Sequence, residues 1–163
     1  MAGIMLVGTS GIQAIPFEVH SWIEQYNNAG HKFIVGDNKS ADGAIHRALS
    51  SVGATENSTI YCMDNPNFNG YDLKVRRFLT SYDSEKKEVY INCDGEETEA
   101  YVISDVIKVE DISITRQWYE YRDRQMIADC DIGIFIIAEE SKKITNMIQI
   151  MNIMNKPCYV FRV

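Results

Sequence analysis

The chain has 163 residues, a formal net charge of −7, and 45% hydrophobic and 24% charged residues. That length suits one domain, 1–163, with a full core, and the composition is ordinary for a globular protein. The acidic balance argues against nonspecific nucleic-acid binding, and no apolar run reaches the length of a membrane span. With no signal peptide ahead of the first strand, the expectation is a cytoplasmic protein with a small-molecule or protein partner, and without nucleic acid or membrane as partners. Cys62, Cys93, Cys130 and Cys158 are scattered and form no CxxC pair. They read as reduced core thiols, and no cofactor or metal is expected.

Residues 3–7 (GIMLV) read as a buried strand that ends in the small residues Gly8, Thr9, Ser10 and Gly11. Pro16 opens a helix whose apolar face draws on Phe17, Val19, Ile23 and Tyr26, and Gly30 closes it. Residues 33–49 carry the clearest signal. Phe33, Ile34 and Val35 suit a strand end, Gly36 and Asp37 a turn, and Ala44, Ile45, Ala48 and Leu49 a helix face. A strand that runs through a small polar loop into a helix places that loop where α/β sheets bind ligands, with free helix-start amides suited to phosphate. Residues 59–63 are the third strand, while 74–79 fits a short helix or a strand equally. Residues 88–93 and 98–103 are β-rich around Asp94-Gly95, which predicts a hairpin inserted at 86–111. Residues 114–128 return to helix, 132–138 form a continuous apolar strand, and 144–155 form a helix rich in Ile and Met. Residues 158–163 close the chain as a short strand. The predicted fold is α/β: a Rossmann-like three-layer α/β/α domain with a mostly parallel sheet and an inserted β-hairpin. The 144–155 helix is apolar over more than one stripe, which predicts a second buried side, covered by another copy in a homo-oligomer or by the 86–111 hairpin of the same chain.

Cleavage of an N-glycosidic bond needs a carboxylate near the anomeric carbon. The strand-end candidates are Asp42, Glu139 and Glu140, with Asp37 beside them. Glu139 and Glu140 also read as a solvated turn, and Asp42 as a helix cap. Arg122, with Asp123 next to it, either faces the cleft and binds a phosphate in bidentate fashion or is a surface residue without a partner. Asp131 reads as a cap or an acceptor of loop amides, and His46 as structural or solvated. Trp118, Tyr119 and Tyr121 suit base stacking, core or interface.

Three windows together carry a resemblance. They are 7–12 (VGTSGI), 34–42 (IVGD through Ala41-Asp42), and 121–131 (YRDRQMIADCD) followed by Ser141-Lys142, Asn146 and Asn155-Lys156-Pro157. In that order the chain resembles the SLOG superfamily, the Rossmann-like group that includes the DprA/Smf DNA-uptake proteins and the LOG nucleotide phosphoribohydrolases. The resemblance implies a site for a nucleotide-derived ligand built from Gly8, Thr9 and Ser10, from Gly36, Asp37 and Asp42, and from Ser141, Lys142 and Asn146. It also implies homo-oligomers. Lys143 and Ile144 replace the usual Gly-Thr, Ala138 replaces an aromatic residue, and the PGGxGTxxE signature of the LOG enzymes is absent. A sensor or sequestering protein is therefore expected first, and an N-glycosidic hydrolase or transferase second.

Overall fold

A computed structural model of the chain describes residues 1–93, 105–108 and 114–163. Strand β1 (Gly3–Gly8) is buried over four consecutive residues. Ile4 and Leu6 belong to a core with helices α1 (Phe17–Asn28) and α2 (Ala41–Ser51). Met5 and Val7 belong to a second core with α3 (Ile114–Asp129) and α4 (Lys142–Ile153). The alternation is the period of two expected of a strand, and both sets are apolar, as in a parallel sheet. Strand β7 (Ile132–Ile137) divides in the same way, with Ile134 and Ile136 in the first core and Phe135 in the second.

The other strands are β2 (Lys32–Val35), β3 (Ser58–Met63), β4 (Lys74–Asp83), β5 (Glu88–Cys93), β6 (Asp105–Lys108) and β8 (Cys158–Arg162). The described strands form one eight-stranded sheet in the order β6-β5-β4-β3-β2-β1-β7-β8. Pairing is parallel from β4 through β8 and antiparallel at β4–β5 and β5–β6. This is a mostly parallel α/β sheet of Rossmann-like type. The chain moves outward from β1 to β4, then returns to lay β7 on the other side of β1. The order reverses there, so the carboxyl ends of β1 and β7 mark the topological switch point.

The stretch 74–79, which pattern left between helix and strand, opens the ten-residue strand β4. It is parallel to β3 with Thr59 opposite Lys74, yet the connection through 64–73 contains no helix. Phe68 from that loop stacks on His46 of α2, with ring centroids 5.6 Å apart. The predicted 88–93 strand is β5; among the described residues it pairs antiparallel with β4, across a turn in which Asp83 Oδ1 accepts from the Glu85 and Lys86 amides, and with β6. The predicted strand 98–103 and the Asp94-Gly95 turn lie outside the described residues. Of the predicted apolar face of α1, Val19, Ile23 and Tyr26 pack on the first core, joined by Trp22, whereas Phe17 is 85% exposed. Trp22 meets Tyr159 and Phe161 edge to face at 5.1 and 5.2 Å, which ties α1 to β8. Among the described residues no helix is long and apolar enough to cross a membrane.

Candidate functional site

Four charged side chains are buried at the carboxyl ends of the strands: Asp37 after β2, Asp42 in the first turn of α2, and Arg122 and Asp123 on α3. A buried guanidinium needs carboxylate partners, and here it has two. Arg122 Nη1 donates to Asp37 Oδ1 at 2.5 Å. Its Nε and Nη2 both donate to Asp123 Oδ1, at 3.2 and 3.0 Å. Asp37 Oδ2 accepts the Asn67 amide at 2.7 Å, which draws the 64–73 loop to the same point. Arg122 is therefore not a lone surface residue, and its fork is occupied by protein carboxylates. Burial works against its charge, but Asp123, Asp42 and Asp37 outweigh burial and hold its pKa above the ordinary arginine value.

The β2–α2 loop is fixed by its own side chains. Asn38 Oδ1 accepts the Ser40 amide at 3.1 Å, while Asp42 Oδ2 accepts the Asn38 amide at 2.7 Å. The first bond closes an Asx turn ahead of the helix, and the second ties the helix back to that turn. Asp42 thus bonds back to the loop rather than capping the amides ahead of it. Gly36 is required by packing: a Cβ there would stand 2.7 Å from Asp42 Oδ2 and 3.4 Å from Arg122 Cζ. His46, one turn beyond Asp42 and fully buried, donates from Nε2 to the Gly36 carbonyl at 2.9 Å. Its Nδ1 is buried without a hydrogen-bond partner among the described residues. Burial lowers the His46 pKa, with the Gly36 bond and Asp42 pulling the other way. Burial also pushes the Asp42 carboxyl up, against the opposing pull of Arg122 and the Asn38 amide.

Above this network lies a cleft of about 960 Å³ between the β2–α2 loop, Asn67, α3 and α4. Asp37, Arg122 and Asp123 line it, together with Lys142 and Asn146. Its wall includes Tyr119, whose ring lies 5.0 Å from Arg122 Cζ and whose hydroxyl accepts from Asn67 Nδ2 at 2.8 Å. Ile127, Met147, Ile150 and Ile153 form an apolar side. Lys39, Arg124, Lys142 and Lys143, all exposed, bring positive charge to the lining of an acidic chain. Lys143 Nζ stands 3.5 Å from Asp123 Oδ2.

The remaining candidates lie off this lining. Thr9 is buried, and its hydroxyl accepts the Ala138 amide at 2.8 Å, which pins the switch point between β1 and β7. Gly8 is half-buried and Ser10 exposed beside it. Ser141 is the N-cap of α4 and accepts the Ile144 amide at 3.3 Å. Glu139 and Glu140 are exposed on the preceding loop. Asp131 Oδ2 accepts the Gly3 amide at 2.7 Å, at the opposite end of the sheet, as its reading as an amide acceptor anticipated. Tyr121 is buried against Phe78 in the second core. Sequence reasoning missed Asn67 and the lining roles of Lys39 and Arg124. Lys39 was legible as a cation in the marked loop, but only the fold shows that Asn67, thirty positions from Asp37, meets it. Among the described residues no group of three His, Cys, Asp or Glu side chains is placed to hold a metal ion. No family model, curated protein or solved structure matches the chain.

Proposed function

We propose that this chain binds a nucleotide or nucleotide-derived small molecule in the cleft between the β2–α2 loop, α3 and α4, as a sensor or sequestering protein of SLOG type. The observation that carries this is the cleft lining, where exposed cations, an aromatic ring and a buried carboxylate network converge in a chain of net charge −7. A volume of about 960 Å³ lies near the upper end of small-molecule pockets, roughly 300–1,000 Å³. The phosphate end belongs at Lys142 and Lys143, which the first turn of α4 brings to the cleft lining. The same reading takes the two cores as the sign of a three-layer α/β/α domain with 86–111 as its insertion, and takes the protein as a cytoplasmic homo-oligomer.

Thermal melts against AMP, CMP, the deoxynucleoside monophosphates, NAD, ADP-ribose and cyclic dinucleotides test the binding. A ligand at a hundred times its Kd stabilises the fold by about 2.7 kcal/mol through mass action. At least one compound is expected to raise the melting temperature, less so in high salt. No shift with any of them at millimolar concentration overturns the proposal.

Cleavage or transfer at an N-glycosidic bond is the second reading, and the buried carboxylates of the cleft favour it. Glu139, Glu140 and Asp42 do not line the cleft, so Asp123 or Asp37 would carry the charge. Free base released from nucleoside monophosphates or NAD by the wild type but not by Asp123→Asn supports it; no release removes it.

A further inference from the structure

We propose that Asp123 reads a sugar hydroxyl of the ligand, so that the cleft selects a ribose phosphate over its deoxy counterparts. The inference rests on the cleft being a nucleotide site. Asp123 lines that cleft, and its side chain is 10% exposed. Its two oxygens are in different situations. Oδ1 accepts from Nε and Nη2 of Arg122, so the carboxylate cannot turn without breaking both bonds. Oδ2 has only the Lys143 ammonium at 3.5 Å, well beyond the roughly 2.7–2.9 Å of a charge-assisted hydrogen bond. A fixed, nearly buried acceptor is thus left without a hydrogen bond among the described residues, beside a cleft large enough for a nucleotide.

A carboxylate oxygen repels a phosphate and takes a donor. Within reach of it, Lys143 is half-exposed and on a flexible stem, and Lys142 precedes it on the same helix turn. Donor-seeking and anion-seeking groups are therefore neighbours. The matching ligand carries a hydroxyl and a phosphate on one small frame, as a ribose phosphate does. On binding, the hydroxyl takes Asp123 Oδ2, and Lys143 moves from its loose contact with Asp123 to the phosphate.

Titration calorimetry of the full chain with AMP, CMP, GMP and UMP, and with the 2′-deoxy and 3′-deoxy forms of each, decides this. At least one ribonucleotide should bind. Loss of one of the two hydroxyls should weaken binding roughly tenfold to hundredfold, the range for one hydrogen bond to a charged group. Asp123→Asn should bring the ribonucleotide to the affinity of that deoxy form, whereas Lys143→Gln should weaken ribo and deoxy forms by equal factors. The wild-type comparison stands even if Asp123→Asn does not fold. Equal affinity for ribo and both deoxy forms overturns the role of Asp123 while the nucleotide site stands. Failure of all four ribonucleotides to bind overturns the inference, and the melt panel shows separately whether the wider binding reading falls with it.

Discussion

Arg122 is 2% exposed, and its carboxylate partners are its neighbour Asp123 and Asp37, which lies 85 positions away. Removing one member of a buried ionic cluster leaves the rest uncompensated, at about 3–5 kcal/mol. Arg122→Met should therefore lower stability by about that much, read from the urea midpoint; a loss below about 1 kcal/mol would mean that Asp37 and Asp123 gain protons or water instead. His46 gives a pH dependence of known sign. Its pKa is lowered by burial from 6.5, so below that value the unfolded chain takes up a proton that the folded chain refuses. The contribution of the neutral ring is complete above pH 6.5 and is lost as pH falls towards the folded value, by up to about 1.4 kcal/mol per pH unit. Asp42 acts with the opposite sign, since its raised pKa favours the protonated fold and that contribution disappears as pH rises through the raised value. The difference between wild type and His46→Gln isolates the ring. Urea midpoints between pH 5 and 7 should converge at the acid end, and parallel curves would sink the assignment.

Helix α4 breaks a local rule. Its first turn holds Lys142 and Lys143 and no acidic residue, although the positive end of the helix dipole disfavours cations there. Such a conflict is expected where a site needs the charge. Lys142→Glu should raise the stability of the ligand-free protein by about 0.3–1 kcal/mol at low salt and weaken any nucleotide binding. Destabilisation together with intact binding would remove the lysine from the site. The far end of the same helix separates core from surface. Met151 is fully buried, with its sulfur 3.6 Å from Cys130 Sγ, whereas Ile153 is 80% exposed. Met151→Lys should therefore cost more than the roughly 2–5 kcal/mol of truncation to alanine, and Ile153→Lys less than about 0.5 kcal/mol. Met151 is thus a core residue and no probe of an interface.

At the scale of the molecule, the apolar surface left over gathers late in the chain. Ile153, Met154, Tyr159, Val160 and Val163 are exposed, and β8 is the last strand of the sheet. An edge strand with apolar side chains and open main-chain groups invites pairing. A second copy across a two-fold axis is the simplest occupant. Light scattering at micromolar concentration should show a dimer, and Tyr159→Lys with Val160→Lys should dissociate it. A wild-type mass of 18.6 kDa would defeat the expectation.

Periodicity and composition determined the parallel strands β1, β2, β3 and β7 and all four helices, because buried strands and amphipathic helices write their surroundings into local apolar spacing. The β4 strand escaped, since no helix separates it from β3 and its partners lie on two different strands. Glycine and polar loops marked the strand ends. Which of those residues meet was decided by tertiary structure alone. Thr9 bonds to Ala138 across the switch point, Gly36 is small because Asp42 and Arg122 fill the space above it, and Asn67 reaches Asp37 from another loop. These contacts join positions far apart in the chain, and a side chain buried by such a contact has no periodic signature in its own neighbourhood. The sequence alone therefore marked the carboxyl end of the sheet, and only packing selected α3 and α4 as the walls of the cleft.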